Sequence, residues 1–206
     1  MGRDPDIDQS KRATLRRFAA LGAASPLVGI AGASDGESET PDAIAGYVSA
    51  TPGAHFSKIR DDLKLGTGET QHHLQELESE DVIESRKDGD YRRFFPADQF
   101  GEFEQVVLGH LRRETLRGVV VTLLDTPNAT AGEIATRLDV SRPTVSKCAA
   151  TLETAGLLSR RDGYTLIDPE TILLLLVRYA DSFGEDAAEL AESAPSLVEY
   201  TGDQKQ

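Results

Sequence analysis

The chain has 206 residues, with 22 Lys and Arg against 35 Asp and Glu, for a formal net charge of −13. That length admits one or two small domains with their own cores and excludes a large barrel enzyme, while a hydrophobic fraction of 39% excludes general disorder. One cysteine, Cys148, excludes an intrachain disulfide and any cysteine-based zinc or iron–sulfur centre. Arg outnumbers Lys 16 to 6 and Trp is absent. An acid-rich surface poor in Lys is what a salt-rich cytosol selects, because high negative charge keeps proteins soluble there. The net charge therefore speaks of habitat more than of partner, and the position of the scarce cations matters more than their number.

Residues 1–17 are polar and end in a basic cluster, Lys11, Arg12, Arg16 and Arg17, followed by an uncharged stretch, 18–33, and an acidic linker. The layout resembles a twin-arginine export signal, but Phe18 follows Arg17 directly, and the stretch is shorter than the roughly 20 residues that span a bilayer. The favoured reading is an Ala-rich helix over about 8–24 that packs on the domain or a partner subunit. Membrane association through residues 18–33, or export, is the competing one.

From Pro41 the chain repeats itself. Thr51-Pro52-Gly53-Ala54 corresponds to Thr126-Pro127-Asn128-Ala129, and at the same offset Ile59 meets Ile134, Leu63 meets Leu138, Leu77 meets Leu152 and Glu78 meets Glu153. After Val82-Ile83 and Leu157-Leu158 the register shifts by one, aligning Asp88-Gly89 with Asp162-Gly163. Two copies of one unit make up most of the protein.

In the first copy the pattern predicts helices over about 41–50, 56–65 and 67–80, then a hairpin over 82–95 around the turn Arg86 to Asp90. Phe100, Phe103, Val107 and Leu111 have helical spacing and predict a linker helix over 98–113. In the second copy a first helix around Leu116, Val120 and Leu124 stops at Thr126-Pro127, and a short helix covers about 131–138. Ser141 is a natural N-cap, with Pro143 in the first turn of a third helix that Gly156 ends. Two short strands, 157–160 and 164–167, enclose Arg161-Asp162-Gly163. The run from Thr171 to Phe183 is apolar on every side and is expected to be buried all round, between domains or across a two-fold axis. An acidic tail follows.

Three helices and a hairpin make a winged helix-turn-helix. The fold class expected is mainly α with small β-hairpin wings: two tandem winged helix-turn-helix domains, 41–97 and 114–168, joined by a linker helix over 98–113. A packing or dimerisation helix over 169–183 and a tail over 184–206 complete the layout. The stretches TPGAHFSKIRDDLKLGTGETQHHLQELESEDVIESRKDGDYRRFFP and GEIATRLDVSRPTVSKCAATLETAGLLSRRDGYTL resemble the archaeal regulators that carry two such domains in tandem, of the broader ArsR/MarR-like type. The resemblance implies sequence-specific binding of double-stranded DNA and transcriptional control in the cytoplasm, as a homodimer. A membrane-associated or exported protein whose winged domains serve protein contacts is the alternative.

Between 137 and 161 five bases stand against two acids, a local +3. With Val145, Ala149 and Leu152 turned inward, Arg142, Thr144, Ser146 and Lys147 face outward as base-reading candidates, and Arg160 and Arg161 in the wing as phosphate contacts. The first copy offers Thr67, Gln71 and His72 as base readers and Arg86, Lys87, Arg92 and Arg93 as wing contacts. Its 61–84 stretch holds eight acids against one Lys, so this copy serves either DNA or a dimer contact. Cys148 reads as a small core residue. Of the four histidines only His72 and His73 are neighbours, and adjacent helical positions diverge by about 100°, which makes the pair a poor chelate. No metal, cofactor or catalytic constellation is expected.

Overall fold

The computed structural model describes residues 14–18 and 39–197. Most of the N-terminal segment, with the possible membrane stretch beyond Phe18, and the tail after Leu197 lie outside the described residues. Contacts divide the chain into two units, one ending at Gln105 and the other beginning at Val106. No helix among the described residues is long and apolar enough to cross a membrane.

Unit 1 contains a short helix α1 (residues 14–18) and α2 (Glu39–Ala50), then β1 (Ala54–His55), α3 (Phe56–Leu63), α4 (Thr67–Ser79), β2 (Ile83–Asp88) and β3 (Tyr91–Pro96). Helix α5 (Glu102–Leu111) crosses into the second unit. Ile44, Ile59, Leu63, Leu74, Leu77 and Ile83 form the core, with Leu15 of α1 buried among them and Phe18 packed edge-on to Tyr47. Each fully buried aliphatic side chain contributes about 1.5–3 kcal/mol. The three strands are antiparallel in the order β1-β3-β2.

Unit 2 repeats the plan with α6 (Glu114–Asp125), α7 (Ala131–Arg137), α8 (Arg142–Thr154), β4 (Leu158–Ser159) and β5 (Thr165–Leu166). It then adds α9 (Pro169–Arg178), α10 (Ala180–Phe183) and α11 (Glu185–Leu197). The repeat is visible in the backbone itself. Gly53 and Asn128, Lys64 and Asp139, and Asp81 and Gly156 all take left-handed φ at the sequence offset of the repeat. Matching amide bonds close the same corners: Leu65 N–H donates to Arg60 O as Val140 N–H does to Ala135 O, and Val82 to Leu77 O as Leu157 to Leu152 O.

Two expectations need correction, and one strand is additional. The first wing is tighter than the sequence suggested: Asp88 pairs with Tyr91, so Arg86 and Lys87 are strand residues and the turn is Gly89-Asp90 alone, with Gly89 at φ +59°. The strand β1 was not anticipated, since two residues leave no periodic signal. Finally, the apolar run is broken at Tyr179 and is not buried all round: Ile172, Leu175 and Leu176 are buried, but Leu174 is 65% exposed and Val177 37%. Its inner face is covered by α11, a helix where the sequence suggested a tail, which buries Ala187 and Leu190.

Arg117 ties these C-terminal helices down. Its buried guanidinium donates through Nε to both carboxylate oxygens of Asp186 at 2.8 and 2.9 Å and through Nη1 to Leu111 O at 3.0 Å. Arg112 lies over the Phe183 ring at 4.2 Å and donates to Ser182 O. Removing one partner of a buried pair leaves the other charge and a carbonyl uncompensated; with Asp186 one-third exposed, Arg117→Ala should cost roughly 2–4 kcal/mol. A thermal melt monitored by circular dichroism checks this, with Arg117→Lys expected to recover only part of the loss because a shorter ammonium lacks the planar fork that reaches Asp186 through Nε and Leu111 O through Nη1 at once.

Candidate nucleic-acid interface

Each unit presents its third helix by the same device. In unit 2, α7 ends at Leu138, Asp139 turns left-handed at φ 51°, and Ser141 caps α8 by accepting from Thr144 N–H at 3.3 Å. Along α8, Val145, Cys148, Ala149 and Leu152 are buried while Arg142, Ser146 and Lys147 are exposed and Thr144 half-buried. The Thr144 hydroxyl lies 2.8 Å from that of Ser141. Arg142 rests along α7, where a Cβ on Gly132 would come 3.0 Å from its guanidinium. No ion pair engages Arg142, Lys147 or Arg161 among the described residues. Burial raises the pKa of Cys148 above the ordinary thiol value, against a weaker opposing effect of Lys147, so the group is a neutral packing thiol near neutral pH.

Arg160 is different. It donates to Glu153 at 2.7 Å, joining the wing to the C-terminal half of α8, and this hydrogen bond holds the Glu153 carboxyl below its usual range. In unit 1 the equivalent acid, Glu78, is also held by a wing arginine, but one from the second strand: Arg92 Nη2 donates to both oxygens of Glu78 at 2.7 and 2.9 Å and its Nε to Ser85 at 2.7 Å. Arg86 in turn pairs with Glu102 at 3.0 Å.

The wing of unit 1 explains these pairings. Strand register sets Arg86 opposite Arg93 and Lys87 opposite Arg92, two facing pairs of like charge that are unfavourable unless acids intervene. Asp88, Glu102 and Glu78 supply those acids. Arg93, expected to meet phosphate, is instead 2% exposed: it pairs with Asp88 and donates to Gly53 O at 2.9 Å, bolting the wing to the β1 corner. It is a structural residue. Lys87 is the wing cation of unit 1 without an ion pair among the described residues.

Helix α4 exposes Thr67, Gln71, His72 and Gln75, while Glu69 is turned back to accept from Gly66 N–H at 3.1 Å. Gln71 and Gln75 border a groove of about 350 Å³ floored by Phe56, Leu74 and Phe94. The histidine pair is not isolated. His73 Nδ1 lies 3.2 Å from a Glu76 oxygen, and the donor atoms of His72, His73 and Glu76 lie within 4.8 Å of one another. The carboxylate one turn on from His72 gives the two imidazoles a third potential ligand that their own spacing does not signal.

Two units, each with a helix-turn-helix corner and an antiparallel wing, define a protein with two tandem winged helix-turn-helix domains, mainly α with small sheets. Residues 38–108 match a family model described as an N-terminal HTH domain, and residues 118–163 match that of the MarR family. An archaeal protein from Methanocaldococcus jannaschii, described as an uncharacterized HTH-type transcriptional regulator, is 28% identical over 130 residues. The match covers 63% of this chain and 32% of the relative, so the chain spans about a third of that protein's length. No solved structure matches the chain. The resemblance to archaeal MarR-like regulators with tandem helix-turn-helix domains thus holds in both halves.

His55 caps α3, its Nδ1 accepting from Lys58 N–H at 3.3 Å, which requires an unprotonated nitrogen. Burial, and then Arg93 and Lys58, lower its pKa. A histidine with a depressed folded pKa leaves the unfolded chain binding more protons; its stabilisation is present above about pH 6.5 and is lost as pH falls from there through the folded pKa. Unfolding measured in denaturant between pH 7.5 and 5 should therefore show a loss of stability on acidification that is smaller in His55→Asn, which retains a capping oxygen.

Proposed function

We propose that the chain is a sequence-specific DNA-binding transcriptional regulator of the cytoplasm, in which α8 is the principal reading helix. The observation that carries this reading is the outward N-terminal half of α8, where Arg142 and Lys147 stand without ion pairs among the described residues, beside Ser146. A helix presented in this way fits the major groove, where Arg and Lys match guanine acceptors and hydroxyls adapt to either neighbour. Arg161 and Lys87 are the wing cations ready to meet phosphate, and Arg160, Arg86 and Arg92 reach it by exchanging an acidic partner. Thr67, Gln71 and His72 make α4 a second, weaker head with no cation of its own between Thr67 and Ser79.

The exposed ridge of α9 supports a homodimer. Glu170, Leu174 and Arg178 recur every four residues on its outer face, with Val177 beside them. About a two-fold axis through Leu174, an antiparallel second copy sets each Glu170 against the partner's Arg178 and covers the apolar centre. Leu174→Glu should yield a monomer in sedimentation without loss of helix signal; a dimer that persists at micromolar concentration places the interface elsewhere.

In vitro selection from random duplexes, followed by fluorescence anisotropy in high salt, tests DNA reading directly. Arg142→Glu with Lys147→Glu should weaken the selected site by at least tenfold, since each good bidentate base contact carries about 1–3 kcal/mol. Gln71→Ala with His72→Ala should weaken it several-fold if α4 also reads bases. Affinity within twofold of the parent after the α8 double reversal would sink the assignment.

A further inference from the structure

Helix α4 contains a set of metal-ligating groups of which only His72 figures in the DNA-reading proposal. Of its acids, Glu69 is committed to the Gly66 amide and Glu78 to Arg92, leaving Glu76 facing His73. His72 precedes Glu76 by four residues, one helical turn, and its ring centroid lies 5.1 Å from that of His73. The donor atoms of all three fall within 4.8 Å of one another. Ligands held at about 2.0–2.2 Å around a tetrahedral zinc ion stand roughly 3.3–3.6 Å apart. Rotation of exposed His72 and Glu76 toward half-buried His73 closes that difference, with no movement of the helix.

The local field favours a cation. Residues 61–84 include eight acids against one Lys, and α4 itself has no Lys or Arg. Two imidazoles with one carboxylate suit zinc and its first-row neighbours, whereas calcium and magnesium call for more oxygen ligands.

We propose that His72, His73 and Glu76 form a binding site for a divalent first-row transition-metal ion on the outer face of α4. The three side chains occupy three coordination positions and water completes the shell. The consequence for regulation rests on the DNA-reading proposal: a bound ion withdraws His72 from base edges and adds two positive charges to the most acidic helix of the reading surface.

The test uses the full, tag-free chain without DNA, so it stands or fails independently of DNA reading. Zinc is titrated in competition with a chromophoric chelator near pH 7.5. One equivalent should bind, and His73→Gln and Glu76→Gln should each weaken binding at least tenfold while His55→Asn leaves it unchanged. Circular dichroism of the variants verifies that the fold is kept. Absence of binding to the parent chain, or parental affinity in a His72→Gln/His73→Gln double variant, would overturn the proposal.

Discussion

Both halves of the molecule depend on one backbone constraint, the left-handed residue between the second and third helix of each unit. Lys64 at φ 57° and Asp139 at φ 51° end α3 and α7 and turn the chain within two or three residues into α4 and α8. Neither is glycine, so each corner carries a small conformational cost that the surrounding packing must offset. Leu63, Leu65, Ile59 and Ile134 supply that packing, and a five-residue-back amide bond at Leu65 and Val140 locks the corner. If the corner relaxed, the third helix would rotate and its buried and exposed residues would exchange places. The outward presentation of Arg142, Ser146 and Lys147 is thus a consequence of φ at Asp139 as much as of the helix's own sequence.

The wings are attached by charge more than by apolar area. Glu78 and Glu153, equivalent in the repeat, each hold a wing arginine against the third helix. Exposed pairs of this kind contribute about 0–1 kcal/mol, so their main effect is to fix where the wing points. Arg93 belongs to a different regime. It is buried, bonded to both Asp88 and Gly53 O, and its loss would strand a carboxylate and a carbonyl together. Residue type alone does not separate these two roles: Arg92 and Arg93 are neighbours in sequence and strand alternation sends one out and the other in.

That alternation also marks the limit of what the sequence discloses. The repeat was legible because the same punctuation recurs: Gly53 and Asn128, and Gly89 and Gly163, are residue types that tolerate positive φ. The inward face of α8 was legible from the spacing of Val145, Ala149 and Leu152. What was hidden is tertiary. The acids that claim Arg86, Arg92 and Arg160 lie seven to sixteen residues away, on other elements. Helix α11 read as a tail because its acids dominate its composition, yet Ala187 and Leu190 have helical spacing and Asp186 completes the pair with Arg117. In sequence Glu76 is one acid among eight, and only its contact with His73 distinguishes it from the others.

The net charge of −13 looks adverse to nucleic-acid binding, and its distribution changes that judgement. In molar salt the Debye length is about 3 Å, so only groups near contact distance act on a phosphate. At that range α8 offers cations that no acid among the described residues neutralises, and the wings offer arginines whose present partners are carboxylates open at least in part to solvent. Exchanging such a carboxylate for a phosphate oxygen forfeits at most about 1 kcal/mol and gains an equivalent charge-assisted bond. High salt weakens the existing pair and the new one together, so the exchange is nearly balanced and its salt dependence shallow. A regulator built this way relies less on counterion release than a basic one and more on base contacts and shape. Acidity of the whole chain and DNA reading by one helix are compatible because the two operate over different distances.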